Sequence, residues 1–277
     1  MTVAMNVDAF IQRFSAGLAV MEEQPLPQVR RAYDKFCRSF APPDPAGMRV
    51  EDGSINGVSV RRFTPQQQAP GVVLFIHGGG FTIGSTESHH GPAASLAQQL
   101  EREVVSVNYR LAPEVTYPTM LADCQTVLTA IQPIALVGDS AGGRLAIDLA
   151  HPLSEAPPLG LIYPPVGELS PACLGEDAPL LSRHDVLSIR KQCPEIIAAQ
   201  RDGRSPSQSM EILTVEHDPL TQPIEAAVAN WRAAGASVGY RRAPQMVHAA
   251  LHAQSQLPEM GSAWQDFCHA LKQRLDG

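Results

Sequence analysis

Aromatic residues are scarce in this chain, at 5% of 277 positions, so aliphatic side chains are expected to fill most of the interior. Basic residues never cluster. Formal net charge is −7, and without a Lys/Arg patch to displace counterions nucleic-acid binding is excluded. No apolar run approaches the roughly 20 residues that cross a bilayer, so no stable membrane insertion is expected. The N-terminal MTVAMNVDAFIQRF lacks a basic segment followed by an apolar one, so no secretory leader is expected. The five cysteines, Cys37, Cys124, Cys173, Cys193 and Cys268, are odd in number and scattered, with no CxxC pair. That usage suits structural thiols in a reduced, cytoplasmic protein. No histidine pair has metal-ligand spacing with a supporting carboxylate, so neither a metal nor a cofactor is predicted. The glycine runs carry no GxGxxG or GxxxxGK[ST] pattern, which weighs against a nucleotide-binding protein.

What the chain does have is alternation. Residues 1–45 read as helical, with Phe10, Ile11, Phe14 and Leu18 on one face and a second segment from Gln28 to Phe40. APPDPAG then breaks helix. MRVEDGS and VSVRRFTP read as strands around the hairpin turn Asn56-Gly57. GVVLFIH, EVVSVNY, IALVG, LGLIYPP and MEILTVE are continuous apolar runs, as in strands buried on both faces. Helical patterns lie between most of them, at 93–100, 120–131, 144–149 and 223–234, with a last one at 262–275. The pattern predicts an α/β domain over 46–277 with a mostly parallel sheet. Residues 166–208 are irregular apart from a helix-like piece from His184 to Ala199. Together with residues 1–45 they are expected to form a small helical cap over the sheet's C-terminal edge, where open α/β sheets place ligands.

The strongest local signal is LVGDSAGGRLA at 136–146. Gly138-Asp139-Ser140-Ala141-Gly142 is a G-x-S-x-G sequence between an apolar strand and a helix, the context of a nucleophile elbow. Ser140 must occupy a very sharp turn, and the flanking glycines remove side chains that would collide there. The competing reading is an ordinary glycine-rich turn that binds phosphate. A serine on such an elbow needs an acid and then a base, in that chain order, each after a later strand. MEILTVEHDPL nominates Asp218, with Glu216 as the alternative. Taken alone, Asp218 also reads as a turn or helix-capping residue. VGYRRAPQMVHAAL nominates His248, with His252 as the alternative. His89 and His90 precede the serine and suit a surface or cap-facing position. Asp139 is expected to brace neighbouring loops, and Arg110 with Glu114 to form a structural ion-pair and hydrogen-bond set.

HGGGF at 77–81, NYRLAPE at 108–114, Tyr117-Pro118, GDSAGG at 138–143, DPL at 218–220 and MVH at 246–248 together resemble the hormone-sensitive-lipase family of α/β-hydrolases. The likeness runs from about residue 50 to the C-terminus. It implies an α/β-hydrolase fold with a cap, and serine carboxylesterase activity through an acyl-enzyme; a cap over an aliphatic, aromatic-poor cleft suits short- to medium-chain acyl esters. It places the nucleophile at Ser140, the acid at Asp218 and the base at His248. It puts the oxyanion-binding N–H groups on Gly78, Gly79 and Ala141. His77, Gly80, Asp139, Tyr109, Arg110 and Glu114 are the implied supports of that loop. A small-molecule ester is the implied partner, and a homodimer through the last core strand is an arrangement the resemblance allows. A lactone, carbamate or amide would use the same apparatus; a non-catalytic ligand receptor is the reading from another class. The chain departs from the family after the base, where Ala249 and Ala250 stand, after DPL, where TQPIEAA stands, and in the short stretch from Ser170 to Ser209.

Overall fold

The computed structural model describes residues 4–167, 169–198 and 204–277. Two helices come first, α1 (Val7–Ala19) and α2 (Leu26–Arg38). Asn6 caps α1 by accepting the Ala9 N–H at 2.8 Å. Pro25 opens α2, where a missing N–H costs nothing. The aromatics are concentrated here. Phe10, Phe14, Phe36 and Phe40 are four of the eight phenylalanines, and their ring centroids lie 5.2–5.9 Å apart in five contacts with one another. The aliphatic interior expected from composition therefore belongs to the sheet, and the N-terminal helices carry an aromatic core of their own.

The sheet follows. A hairpin of β1 (Arg49–Ile55) and β2 (Val58–Thr64) turns at Asn56 and Gly57, both at positive φ, the backbone a tight hairpin needs. Then come β3 (Val72–Ile76), α3 (His90–Leu100), β4 (Glu103–Val107), α4 (Tyr117–Ile131), β5 (Ala135–Asp139), α5 (Ala141–Ala150) and β6 (Leu159–Ile162). After an irregular stretch, α6 (Arg183–Gln192) and α7 (Glu195–Ala198) precede β7 (Ser209–His217), α8 (Thr221–Ala233), β8 (Ser237–Val247) and α9 (Pro258–Asp276). The eight strands lie in the order β1-β2-β4-β3-β5-β6-β7-β8. The β1–β2 and β2–β4 pairs are antiparallel and the rest parallel. The central strands β3 and β5 are almost wholly buried, which is why they read as unbroken apolar runs. Helices α3 and α9 form one packed pair and α4 and α5 another, flanking the sheet.

The predicted elements differ from these mainly at their ends. The piece expected over 184–199 is two helices, because Pro194 cannot continue α6. Its last residue, Ala199, and residues 168 and 200–203 of the expected cap segment lie outside the described residues. No helix among the described residues is long and apolar enough to cross a membrane.

Candidate active site

Parallel strands point one way, so loops after β5, β7 and β8 meet at one edge. Ser140 follows β5, Asp218 follows β7 and His248 follows β8. Ser140 has φ +50° and ψ −120°, a conformation few side chains adopt and one seen where a site over-determines the backbone. The turn is so tight that a Cβ on Gly142 would run into the carbonyl oxygens of Ile76 and His77. His248 Nε2 lies 3.0 Å from Ser140 Oγ. On its other side, His248 Nδ1 lies 2.7 Å from Asp218 Oδ2. Asp218 Oδ1 accepts the Leu220 N–H at 2.8 Å. The turn-capping and imidazole-facing readings of Asp218 thus both hold, one for each oxygen. Glu216 is exposed and accepts the Gln245 N–H at 2.7 Å.

His252 stands apart from this line. Its Nε2 is 3.4 Å from Tyr33 Oη. Burial, and then the charge of nearby His89, push its pKa down to about 3, so the ring is neutral. His77 is held at about 3 by the same two causes. With Nδ1 2.8 Å from the Gly78 carbonyl, an acceptor, the His77 proton sits on Nδ1. Tyr109 stacks on that ring at 4.3 Å and donates its hydroxyl to the His77 carbonyl at 2.8 Å.

The glycine loop departs from expectation at one position. The Gly78 N–H donates to Asp139 Oδ1 at 3.0 Å, so it is spent and cannot face a ligand. Gly79 and Gly80 line the cavity beside Ser140 instead. Gly79, at φ +113°, needs to be glycine, since a Cβ there would strike the Ile83 carbonyl. The third nearby N–H, on Ala141, opens α5 and has no acceptor within the helix.

Two further expectations are corrected. Arg110 and Glu114 do not pair with each other. Arg110 binds Asp123 of α4, its guanidinium reaching one oxygen at 2.7 Å. Glu114 binds Arg30 of α2 at 2.7 Å. For His89 and His90 only the surface alternative fails, at 1% and 5% exposed; both face the N-terminal segment expected to form the cap, and His89 lines the cavity beside Phe14 and Tyr33. His89 Nε2 meets Asp139 Oδ2 at 3.1 Å, and its Nδ1 lies 2.9 Å from Ser88 Oγ. Burial pushes the Asp139 carboxyl up, but the charge and hydrogen bond of His89 outweigh it, and the net shift is downward. An ionised Asp139 can then hold the Gly78 N–H. His90 bonds Asp44 at 2.6 Å.

Arg30 and His89 are the participants that the sequence alone did not mark. Arg30 donates to the carbonyls of Thr82 and Ala112, both at 2.8 Å, as well as to Glu114. Its partners lie 52 to 84 positions away, so no local pattern announces it. His89 had one available signal. A carboxylate fixed beside Ser140 in a tight turn requires a buried partner.

Above Ser140 lies a cavity of about 330 Å³. Phe14, Leu18 and Tyr33 reach it from the N-terminal helices, and Leu181, Val186 and Ile189 from the 166–208 segment. Among the described residues, no group of three or more His, Cys, Asp or Glu could hold a metal ion.

A family model of the α/β-hydrolase fold matches residues 73–252. Carboxylesterase NlhH of Mycobacterium tuberculosis is 31% identical over 235 residues, 74% of this chain and 74% of that protein. Versiconal hemiacetal acetate esterase of Emericella nidulans is 36% identical over 118 residues, 40% of this chain and 41% of that protein. A crystal structure of a hormone-sensitive lipase from a metagenome library superimposes with a TM-score of 0.83, at 23% identity over 99% of both chains. With the fold, the HGGGF and GDSAGG sequences and these relatives in agreement, the chain belongs to the hormone-sensitive-lipase family of α/β-hydrolases.

Proposed function

We propose that this protein is a carboxylic ester hydrolase that uses Ser140 as nucleophile, His248 as general base and acid, and Asp218 as the carboxylate that orients His248. The observation that carries this reading is the unbroken line Asp218–His248–Ser140, with contacts of 2.7 and 3.0 Å, opening into a partly apolar cavity. Relatives named as esterases support the reaction class. In the first step His248 Nε2 takes the Ser140 proton as Oγ attacks the ester carbonyl. His248 then protonates the departing alcohol, and water repeats the sequence on the acyl-enzyme.

The N–H groups of Gly79, Gly80 and Ala141 are the donors proposed for the oxyanion. Each such donor is worth on the order of 10² to 10³ in rate. The N-terminal helices and the 166–208 segment act as a cap whose aliphatic and aromatic side chains hold the acyl chain. The mostly apolar side chains lining a cavity of about 330 Å³ favour short to medium acyl groups.

Ser140→Ala should fold normally and lose turnover of p-nitrophenyl butyrate. The wild type should label with a fluorophosphonate and the variant should not. Wild-type rates in purified Ser140→Ala would overturn the proposal, as would an unlabelled wild type, which is what a ligand receptor of this fold would give.

A further inference from the structure

Two bonds in the plane of the His248 ring fix its nitrogens, one toward Asp218 and one toward Ser140. They leave the ring free to tilt about the line joining those bonds. Something else has to set that angle if Nε2 is to keep its lone pair on the serine proton.

The residue after β6 is placed to do so. The last β6 carbonyl, on Ile162, accepts the Ser140 N–H at 2.8 Å. The next N–H along, on Tyr163, donates to the Leu213 carbonyl of β7, also at 2.8 Å. One peptide is thus fastened to the nucleophile on one side and to the strand bearing the acid on the other. Directly after that fastened peptide Tyr163 takes φ +36°, where a bulky L-residue is a genuine outlier. Its side chain is buried, and its ring centroid lies 4.4 Å from that of His248 with the planes 48° apart. Backbone strain of this kind persists only where the surroundings enforce it, and it clusters at functional sites.

We infer that Tyr163 is a positioning residue for His248: its ring face sets the tilt of the imidazole and covers one side of it from water. The inference rests on the reading of His248 as the base. An aromatic face also favours the imidazolium that forms during attack. The hydroxyl bonds the Leu251 backbone rather than the imidazole, so both ring effects should survive its removal and phenylalanine should serve nearly as well.

Three variants test this. Tyr163→Met and Tyr163→Leu remove the ring while filling much of its space, and Tyr163→Phe keeps it. Thermal melts check folding. The ring-free variants should lose roughly 10- to 100-fold in kcat, the scale of a misplaced catalytic group, with KM within about 3-fold of wild type. Tyr163→Phe should stay within about 3-fold of wild type in both. Proton NMR supplies a readout independent of turnover. The low-field signal of the His248 Nδ1 proton should persist in wild type and Tyr163→Phe and broaden or vanish in the ring-free variants. A folded ring-free variant with wild-type kcat and a sharp signal would overturn the inference, and so would Tyr163→Phe as impaired as Tyr163→Met. A wild type that hydrolyses no ester would remove the proposed function alone, and the NMR signal would still decide the role of Tyr163.

Discussion

Exchanging Asp218 for asparagine should nearly stop turnover while leaving the fold intact, and the reason is a count of protons. Asp218 is buried, with Oδ1 on the Leu220 N–H at 2.8 Å and Oδ2 on His248 Nδ1 at 2.7 Å. An asparagine amide has one acceptor and one donor end. Turning its NH₂ toward the Leu220 N–H would set two donors against each other, leaving groups unsatisfied at about 1–3 kcal/mol each. The oxygen therefore stays on Leu220 and the NH₂ faces His248. Nδ1 must then accept, which moves the imidazole proton to Nε2. That proton points at Ser140 Oγ, and the ring can no longer take one from it. An exchange of this kind in a serine protease lowers kcat about 10⁴-fold, or roughly 5.4 kcal/mol of transition-state stabilisation. The assay is kcat on p-nitrophenyl butyrate for wild type and Asp218→Asn, with melting temperatures to confirm folding. Glu216→Gln is the control, since its amide oxygen can still accept the Gln245 N–H. A folded Asp218→Asn within about tenfold of wild-type kcat would refute the argument that Asp218 selects the tautomer.

Other perturbations follow from the same geometry. Asp139→Ala should orphan the Gly78 N–H, cost about 1–3 kcal/mol in stability and lower kcat by up to the roughly 10²-fold value of one oxyanion donor as the loop relaxes; unchanged kcat and melting temperature would show the clamp to be idle. Ala249 sits in the left-handed region at φ +66° beside His248. Ala249→Val should therefore lose roughly 1–3 kcal/mol in a denaturant melt, whereas Ala249→Gly should shift stability by under about 1 kcal/mol. His77 and His252 have folded pKa values near 3 against about 6.5 in the unfolded chain. Within that window the unfolded state binds more protons, so stability rises with pH and is lost as pH falls from about 6.5 toward about 3. The slope is at most about 1.4 kcal/mol per pH unit for each ring, and a melting temperature unchanged between about pH 7 and about pH 4 would contradict it.

Local chemistry made much of this legible. The elbow around Ser140 is written in five consecutive residues, because the turn itself demands small neighbours. The strand before Asp218 announces itself as an apolar run that stops at polar residues, whereas the mixed strand before His248 is placed by chain order. The hairpin at Asn56-Gly57 is equally self-contained. What stayed hidden depends on partners distant in the chain. Nothing in HGGGF says which N–H is spent, because the acceptor, Asp139, is 61 positions away. His89 and His90 look solvated as a polar pair, and packing against rings elsewhere in the chain helps to bury them, His252, His77 and Phe75 for one and Phe63 for the other. Arg110 and Glu114 are four residues apart and look like natural partners. Each instead finds a carboxylate or guanidinium on a different helix, α4 for one and α2 for the other.

Arg30 has a consequence for how such enzymes can be rebuilt. One guanidinium joins α2 to the stretch just past the glycine loop at Thr82, and to Ala112 and Glu114 behind it. The N-terminal helices are therefore not an interchangeable module. A chimera that takes this segment from a relative to change substrate range would also import, or lose, the brace beneath the loop. Grafts that carry Arg30 and Glu114 together should keep their loop in shape, and grafts that split the pair should fail for a reason unrelated to the acyl group they were designed to admit.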